Sequence, residues 1–300
     1  MTRARVAAGI AGVLILAALA ACTGAPPPAG APVTLSLSTS DVAPYAGAHA
    51  ELDPAKGFIV EPLDAYAMSF ADTRLIESAN DVLIDRCMRK AGYANVLTRL
   101  DRSREHQAEN RRFGIWSPQL AAAYGYGLPP RSDEGDDLLA AQSAAWGEVW
   151  KNCYRTTETL PALRYDSADA FAQDSVIAVG ERGYNEADRY ASEAPDWTRA
   201  RHDWWSCLEK EGLTPRKGVE EWSPVVPSDP EAAIRTATID VACKQQVDFI
   251  PRMTDLETSY QAAYIAKHEA ALETQRAAVR KVVQHAKAIL RSAVSVVPLG

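Results

Sequence analysis

The sequence predicts an all-α fold: two related helical units, each stapled by one disulfide, followed by a long C-terminal helix and preceded by a disordered tether. Three observations predict it. Apolar residues recur at helical spacing through most of the chain, and strand-like alternation is scarce. A cysteine–glycine motif occurs twice, as Cys87-Met88-Arg89-Lys90-Ala91-Gly92-Tyr93 and Cys207-Leu208-Glu209-Lys210-Glu211-Gly212-Leu213. Residues 23–50 are rich in Pro, Ala, Gly, Ser and Thr and almost free of charge, the composition of a tether.

The first element is a leader over residues 1–21. Arg3 and Arg5 supply a positive start, and residues 6–21 are uncharged and apolar. That run is short for a bilayer core of about 30 Å and fits the apolar region of a signal peptide. It ends in Leu19-Ala20-Ala21-Cys22. This segment resembles the bacterial lipobox, and the resemblance implies cleavage before Cys22 and acylation of its thiol. Two acyl chains anchor stably where one is marginal. Removal of Arg3 and Arg5 takes the net charge from −7 to about −9. A flexible tether is expected over residues 22–65, and its Pro-rich part alone, as a coil, would span roughly 30 Å.

Four cysteines remain, and an even number in an exported chain implies disulfides. Three pairings are possible. The duplication favours pairing within units, Cys87 with Cys153 and Cys207 with Cys243, in units of residues 66–194 and 195–300. Each glycine of the motif stands where a helix end takes a left-handed residue. Trp116-Ser117-Pro118 and Trp222-Ser223-Pro224 repeat downstream, and the first unit carries about 30 extra residues between its cysteines. CxxC spacing is absent, so no metal and no cofactor is expected.

The helices follow in order. Leu75, Ala79, Leu83 and Cys87 lie four apart within residues 72–91. Ser117-Pro118 suits an N-cap and first helical residue for a short helix to Tyr124. Trp146, Trp150 and Tyr154 mark a helix over residues 136–157. Residues 167–192 are a weaker helix, interrupted by Gly180 and Gly183. Residues 195–211 carry Trp197, Trp204 and Cys207. Ser228-Asp229-Pro230-Glu231 opens a helix to about Ile250, which Pro251 is expected to stop. Thr254-Asp255-Leu256-Glu257 opens a final run to about Ala293.

Candidate binding residues come from two places. Trp116, Tyr124 and Tyr126 lie in Gly-containing loops of the first unit, where aromatics stack on sugars or peptides or simply pack on the core. The C-terminal run has no acidic residue after Glu273, and Arg280 and Lys287 stand among its cations. Its broad apolar face packs into the core, meets a partner helix, or lies on an anionic membrane or wall polymer. Its second half is the part expected to protrude. Ser132–Asp137 lacks calcium-loop spacing and reads as a charged helix start. His268-Glu269 has Leu272 where a zinc-protease motif needs its second histidine. His202-Asp203 reads as part of an exposed helical face, and no other catalytic signature stands out.

The lipobox, the Cys-x4-Gly helix ends and the Phe-Gly-Ile and Tyr-Gly-Tyr segments are similar to exported lipoproteins of actinobacteria. The resemblance implies an address on the outer face of the cell membrane and an anchor, with no mechanism. The acidic balance excludes general nucleic-acid binding, which needs a basic footprint. The expected function is a non-enzymatic binding module of the envelope. It meets the membrane through Cys22 and takes an envelope protein or cell-wall component as partner. The alternatives are a hydrolase of cell-wall material and a small-ligand receptor.

Overall fold

In a computed structural model, which describes residues 34–105, 107–130, 133–165, 175–218 and 221–294, helix dominates. The helices are α1 (Thr39–Val42), α2 (Phe70–Lys90), α3 (Pro118–Tyr124), α4 (Glu134–Ala140), α5 (Ala144–Thr156), α6 (Ala178–Glu193), α7 (Pro195–Lys210), α8 (Pro230–Gln246) and α9 (Phe249–Val294). Two short antiparallel strands, β1 (Glu51–Asp53) and β2 (Phe58–Val60), pair with Leu52 opposite Ile59. Side-chain caps start several helices: Ser69 accepts from Asp72 N, Ser117 from Leu120 N, Ser143 from Trp146 N and Asp229 from Ala232 N.

The duplication is present in three dimensions. Cys87 bonds Cys153 and Cys207 bonds Cys243, with Cα atoms 5.7 and 5.6 Å apart. In α2, α5, α7 and α8 alike, three residues follow the cysteine before the helix ends. Gly92 and Gly212 take positive φ (82° and 75°) after α2 and α7. There Tyr93 N donates to Met88 O and Leu213 N to Leu208 O, so both ends close as Schellman motifs. The two stapled units share α9. At its start Phe249 packs on Trp204 near the second disulfide, its middle places Tyr260 and Tyr264 against α6, and its last turns set Val279, Val283, Ala286 and Ile289 against Ile76 and Ala79 of α2.

Four expectations need correction. The tether does not extend through residues 34–65. Leu37, Val42 and Leu63 are buried against α9, and Ser36 N and Oγ both donate to the buried Glu186 carboxylate. The brief apolar alternation at Leu35 and Leu37 was the cue that this segment packs. The helix over residues 136–157 is two helices, α4 and α5, because Ser143 caps a new start. Pro251 does not stop a helix: it lies in the first turn of α9, where a missing N–H costs nothing. The chain breaks instead at Asp248, whose φ is 51°. Thr254 consequently lies inside α9, donating to Ile250 O, and α9 kinks at His268 (φ −116°, ψ 19°).

Gly180 and Gly183 do not interrupt α6; they let it approach its neighbours. A Cβ on Gly183 would lie 2.6 Å from the buried Tyr264 ring, and one on Gly180 would lie 2.3 Å from Tyr165 Oη. Gly183→Ala therefore overpacks the α6–α9 contact. It is expected to lower stability by about 1–3 kcal/mol despite alanine's better helix propensity, which urea denaturation measures. The part of the expected helix over residues 167–174 lies outside the described residues.

Candidate functional site

The loop of the first unit that carries Phe113-Gly114-Ile115-Trp116 crosses into the second unit. Phe113 and Trp116 join Trp197, Trp204 and Phe249 in one core, and Phe113 meets Trp197 and Trp222 edge-on at 5.6 and 5.5 Å. Trp116 is only 4% exposed and its Nε1 donates to Asn110 O at 2.9 Å, so it is a core residue and not a binding surface. A Cβ on Gly114 (φ 74°) would sit 2.2 Å from Trp222 O, so this backbone approach requires glycine. Its apolar neighbours Phe113 and Ile115 already mark the segment as a packing element.

Beneath this loop lies a buried ion pair that sequence reading passed over. Lys244 and Asp240 are one turn apart on α8, with side chains 1% and 0% exposed. Lys244 Nζ donates to Ile115 O (2.8 Å), Trp222 O (3.1 Å) and Asp240 Oδ2 (3.4 Å). Trp204 Nε1 and Tyr126 Oη donate to the two Asp240 oxygens at 2.9 and 3.1 Å. Burial pushes Lys244 down and Asp240 up, and their mutual attraction opposes both shifts. The network pins the crossing loop to α8. Tyr126 is half-buried within it, whereas Tyr124 remains exposed. An i,i+4 Asp–Lys pair reads on its own as a solvated helix pair; the apolar Ala237 and Val241 beside it were the available cue.

A second polar cluster surrounds Arg112. Its guanidinium donates to Glu61 Oε1 at 2.9 Å and also to Glu257 Oε2 and Tyr184 Oη. Gln261 Nε2 bonds the other Glu61 oxygen at 3.0 Å. Burial pushes Tyr184 up to about 12. Crowding by protein pushes Asp64 up to about 6, although the residue keeps solvent contact; the Glu61 N–H that it accepts opposes the shift. Glu61 and Glu257 are committed to one guanidinium, which ties the residue 61–66 segment, the crossing loop, α6 and α9 together.

An aromatic stack runs along α5 from the core to the surface. Trp146, Trp150 and Tyr154 stack in sequence, with centroids 6.3 and 5.1 Å apart and planes within 15° and 21°. Trp146 is buried, with Nε1 donating to Ala94 O, and Tyr154 is 58% exposed. Arg280 and Lys287 lie exposed on the outer side of α9, whose inner side packs on α2. The second half of α9 therefore does not protrude; alternating buried apolar and exposed basic positions make it a core helix. The structure brings Trp116 and Tyr126 to the core beside α8 and leaves Arg280 and Lys287 on the exposed side of α9. Cys22 lies outside the described residues. Among the described residues no helix is long and apolar enough to cross a membrane, and no group of three His, Cys, Asp or Glu side chains is arranged for a metal.

Compared with family models, curated proteins and solved structures, the chain matches none.

Proposed function

We propose that this chain is a lipid-anchored lipoprotein on the extracytoplasmic face of the cell membrane, acting as a non-enzymatic binding module of the envelope. The observation that carries the reading is the Leu19-Ala20-Ala21-Cys22 box on a chain whose other four cysteines form two disulfides. Disulfides persist in oxidising compartments outside the cytoplasm, the side on which a lipobox cysteine is acylated. The buried charges support a binding role over catalysis. Asp240 with Lys244, and Glu61 and Glu257 with Arg112, are engaged in holding loops to helices.

Cys22→Ala tests the anchor. The variant is expected to leave the membrane fraction and appear in the soluble fraction, with both disulfides intact. Full membrane retention of Cys22→Ala contradicts the reading. The partner is an envelope protein or a wall component. The exposed end of the α5 stack at Tyr154, rather than the buried Trp116, is where we place the contact.

A further inference from the structure

We infer that the outer face of the second half of α9 rests on the headgroups of anionic phospholipids, in the same bilayer that holds the acyl chains on Cys22. This rests on the lipoprotein reading and adds a second attachment to the anchor.

The face is basic against the balance of the chain. Residues 274–294 carry five cations and no acidic residue, while the whole chain is at −7. Arg276 pairs with Glu273. Arg280, Lys281 and Lys287 are exposed, and among the described residues no carboxylate pairs with them. Elsewhere exposed cations sit one turn from a carboxylate: Lys151 with Glu148, Arg189 with Glu193, Arg199 with Asp196 and Arg235 with Glu231.

Helix stability does not explain this placement. A cation helps a helix dipole only within the last turn. Arg280 and Lys281 stand more than three turns before Val294, where α9 ends. Arg276 and Arg280 are four apart, as are Lys287 and Arg291, and like charges at that spacing destabilise a helix. The core does not require them either, because Val279, Val283, Ala286 and Ile289 make the contact with α2.

The form of the face selects its occupant. Ala277, Gln284 and Ala288 are the exposed residues between the cations, with no large apolar side chain among them. A protein interface has an apolar or aromatic centre with charges toward its rim. A row of cations on long stems with no apolar centre suits a diffuse layer of negative charge, and gives no means of inserting below it.

The tether brings the bilayer to this helix. Ser36 is held by Glu186 of α6, and Ser36 O accepts from Lys267 of α9 at 2.7 Å. The chain therefore joins the folded body on α9 itself. From Cys22 to Ser36 the contour is at most about 50 Å, and Lys287 lies about 30 Å along α9 from Lys267. The whole basic row is within reach of the membrane that holds Cys22. Each Lys or Arg brought to an anionic surface favours the bound form by about fivefold.

The test uses the full acylated chain reconstituted into phosphatidylcholine vesicles, with and without phosphatidylglycerol. An uncharged acetylating reagent is applied, and the rate at each lysine is read by mass spectrometry. Lys281 and Lys287 are expected to react at least fivefold more slowly on the anionic vesicles, while Lys151 on α5 keeps its rate. High salt should abolish the difference. Arg280→Gln with Lys281→Gln changes two exposed side chains, so circular dichroism and thermal midpoint should match the parent, while Lys287 regains most of its rate on neutral vesicles. Equal rates on both vesicles, equal slowing at Lys151, or slowing that salt or the double variant leaves unchanged overturns the proposal. So does slowing by an acidic wall polymer without any by anionic lipid, which assigns the face to the wall. Flotation with neutral vesicles reports the acyl anchor without reference to the lysines, so failure of the anchor and failure of the basic face are distinguishable.

Discussion

Lys244→Met is expected to cost about 3–5 kcal/mol of stability, the range for removing one partner of a buried pair. Methionine keeps most of the stem volume, so the loss reports the charge and its hydrogen bonds. Three acceptors lose their donor at once: Ile115 O, Trp222 O and Asp240 Oδ2. Asp240 is then a buried carboxylate whose remaining donors are Trp204 and Tyr126. A domain has about 5–15 kcal/mol in total, so the variant sits near the edge of folding. The pH dependence carries a sign. Asp240 is already raised by burial and loses the cation that restrained it, so its folded pKa exceeds its unfolded one by more than in the parent. A raised carboxyl costs stability once pH passes its unfolded value and goes on costing more up to the folded pKa. The deficit of Lys244→Met should therefore shrink on acidification toward the ordinary carboxylate range. The double variant Lys244→Met with Asp240→Asn should lose less than the sum of the single changes. Urea denaturation at neutral and mildly acidic pH measures all of this. A loss under about 1 kcal/mol for Lys244→Met would place the pair in solvent instead.

Removing either disulfide by a pair of Cys→Ala changes should cost about 4 kcal/mol by loop-closure entropy. The loops closed are 66 and 36 residues, so that entropy term favours Cys87–Cys153 by about 0.5 kcal/mol. Packing reverses the order. Cys207 and Cys243 lie in the core that holds Phe113, Trp116 and Trp204, whereas Cys87 is only partly buried beside the α5 stack. Loss of Cys207–Cys243 adds a cavity and loosens the seat of the crossing loop. It is expected to be the more damaging change, reported by a larger fall in thermal midpoint and by new tryptophan exposure in fluorescence. Equal effects would mean that the second core does not depend on its staple.

The two staples, the helix ends and most helices were legible because each follows from local chemistry: Cys spacing, a glycine after the last turn, serine before the first. Ser117-Pro118 set the start of α3 to the residue. What was not legible depends on contacts between distant segments. The 34–65 segment has loop composition, yet Leu37, Leu63 and Ser36 are held by residues 150 or more positions away. Gly180 and Gly183 carry the composition of a break and the function of a close approach. Trp116 had the loop context of a binding residue, and only the crossing of the first unit into the second buries it. The i,i+4 spacing of Asp240 and Lys244 says nothing of a buried pair; its burial depends on Ile115 and Trp222 covering it. In the sequence Trp146, Trp150 and Tyr154 mark only a helix; that the outer end of their stack stays exposed is set by packing.

The most direct measurement is intact mass and N-terminal peptide mass of the chain purified from membranes. The account predicts a mature chain that begins at Cys22 and carries a diacylglycerol on the thiol, with Cys87–Cys153 and Cys207–Cys243 both oxidised. A retained leader, or an N-terminus elsewhere with an unmodified Cys22, would contradict it.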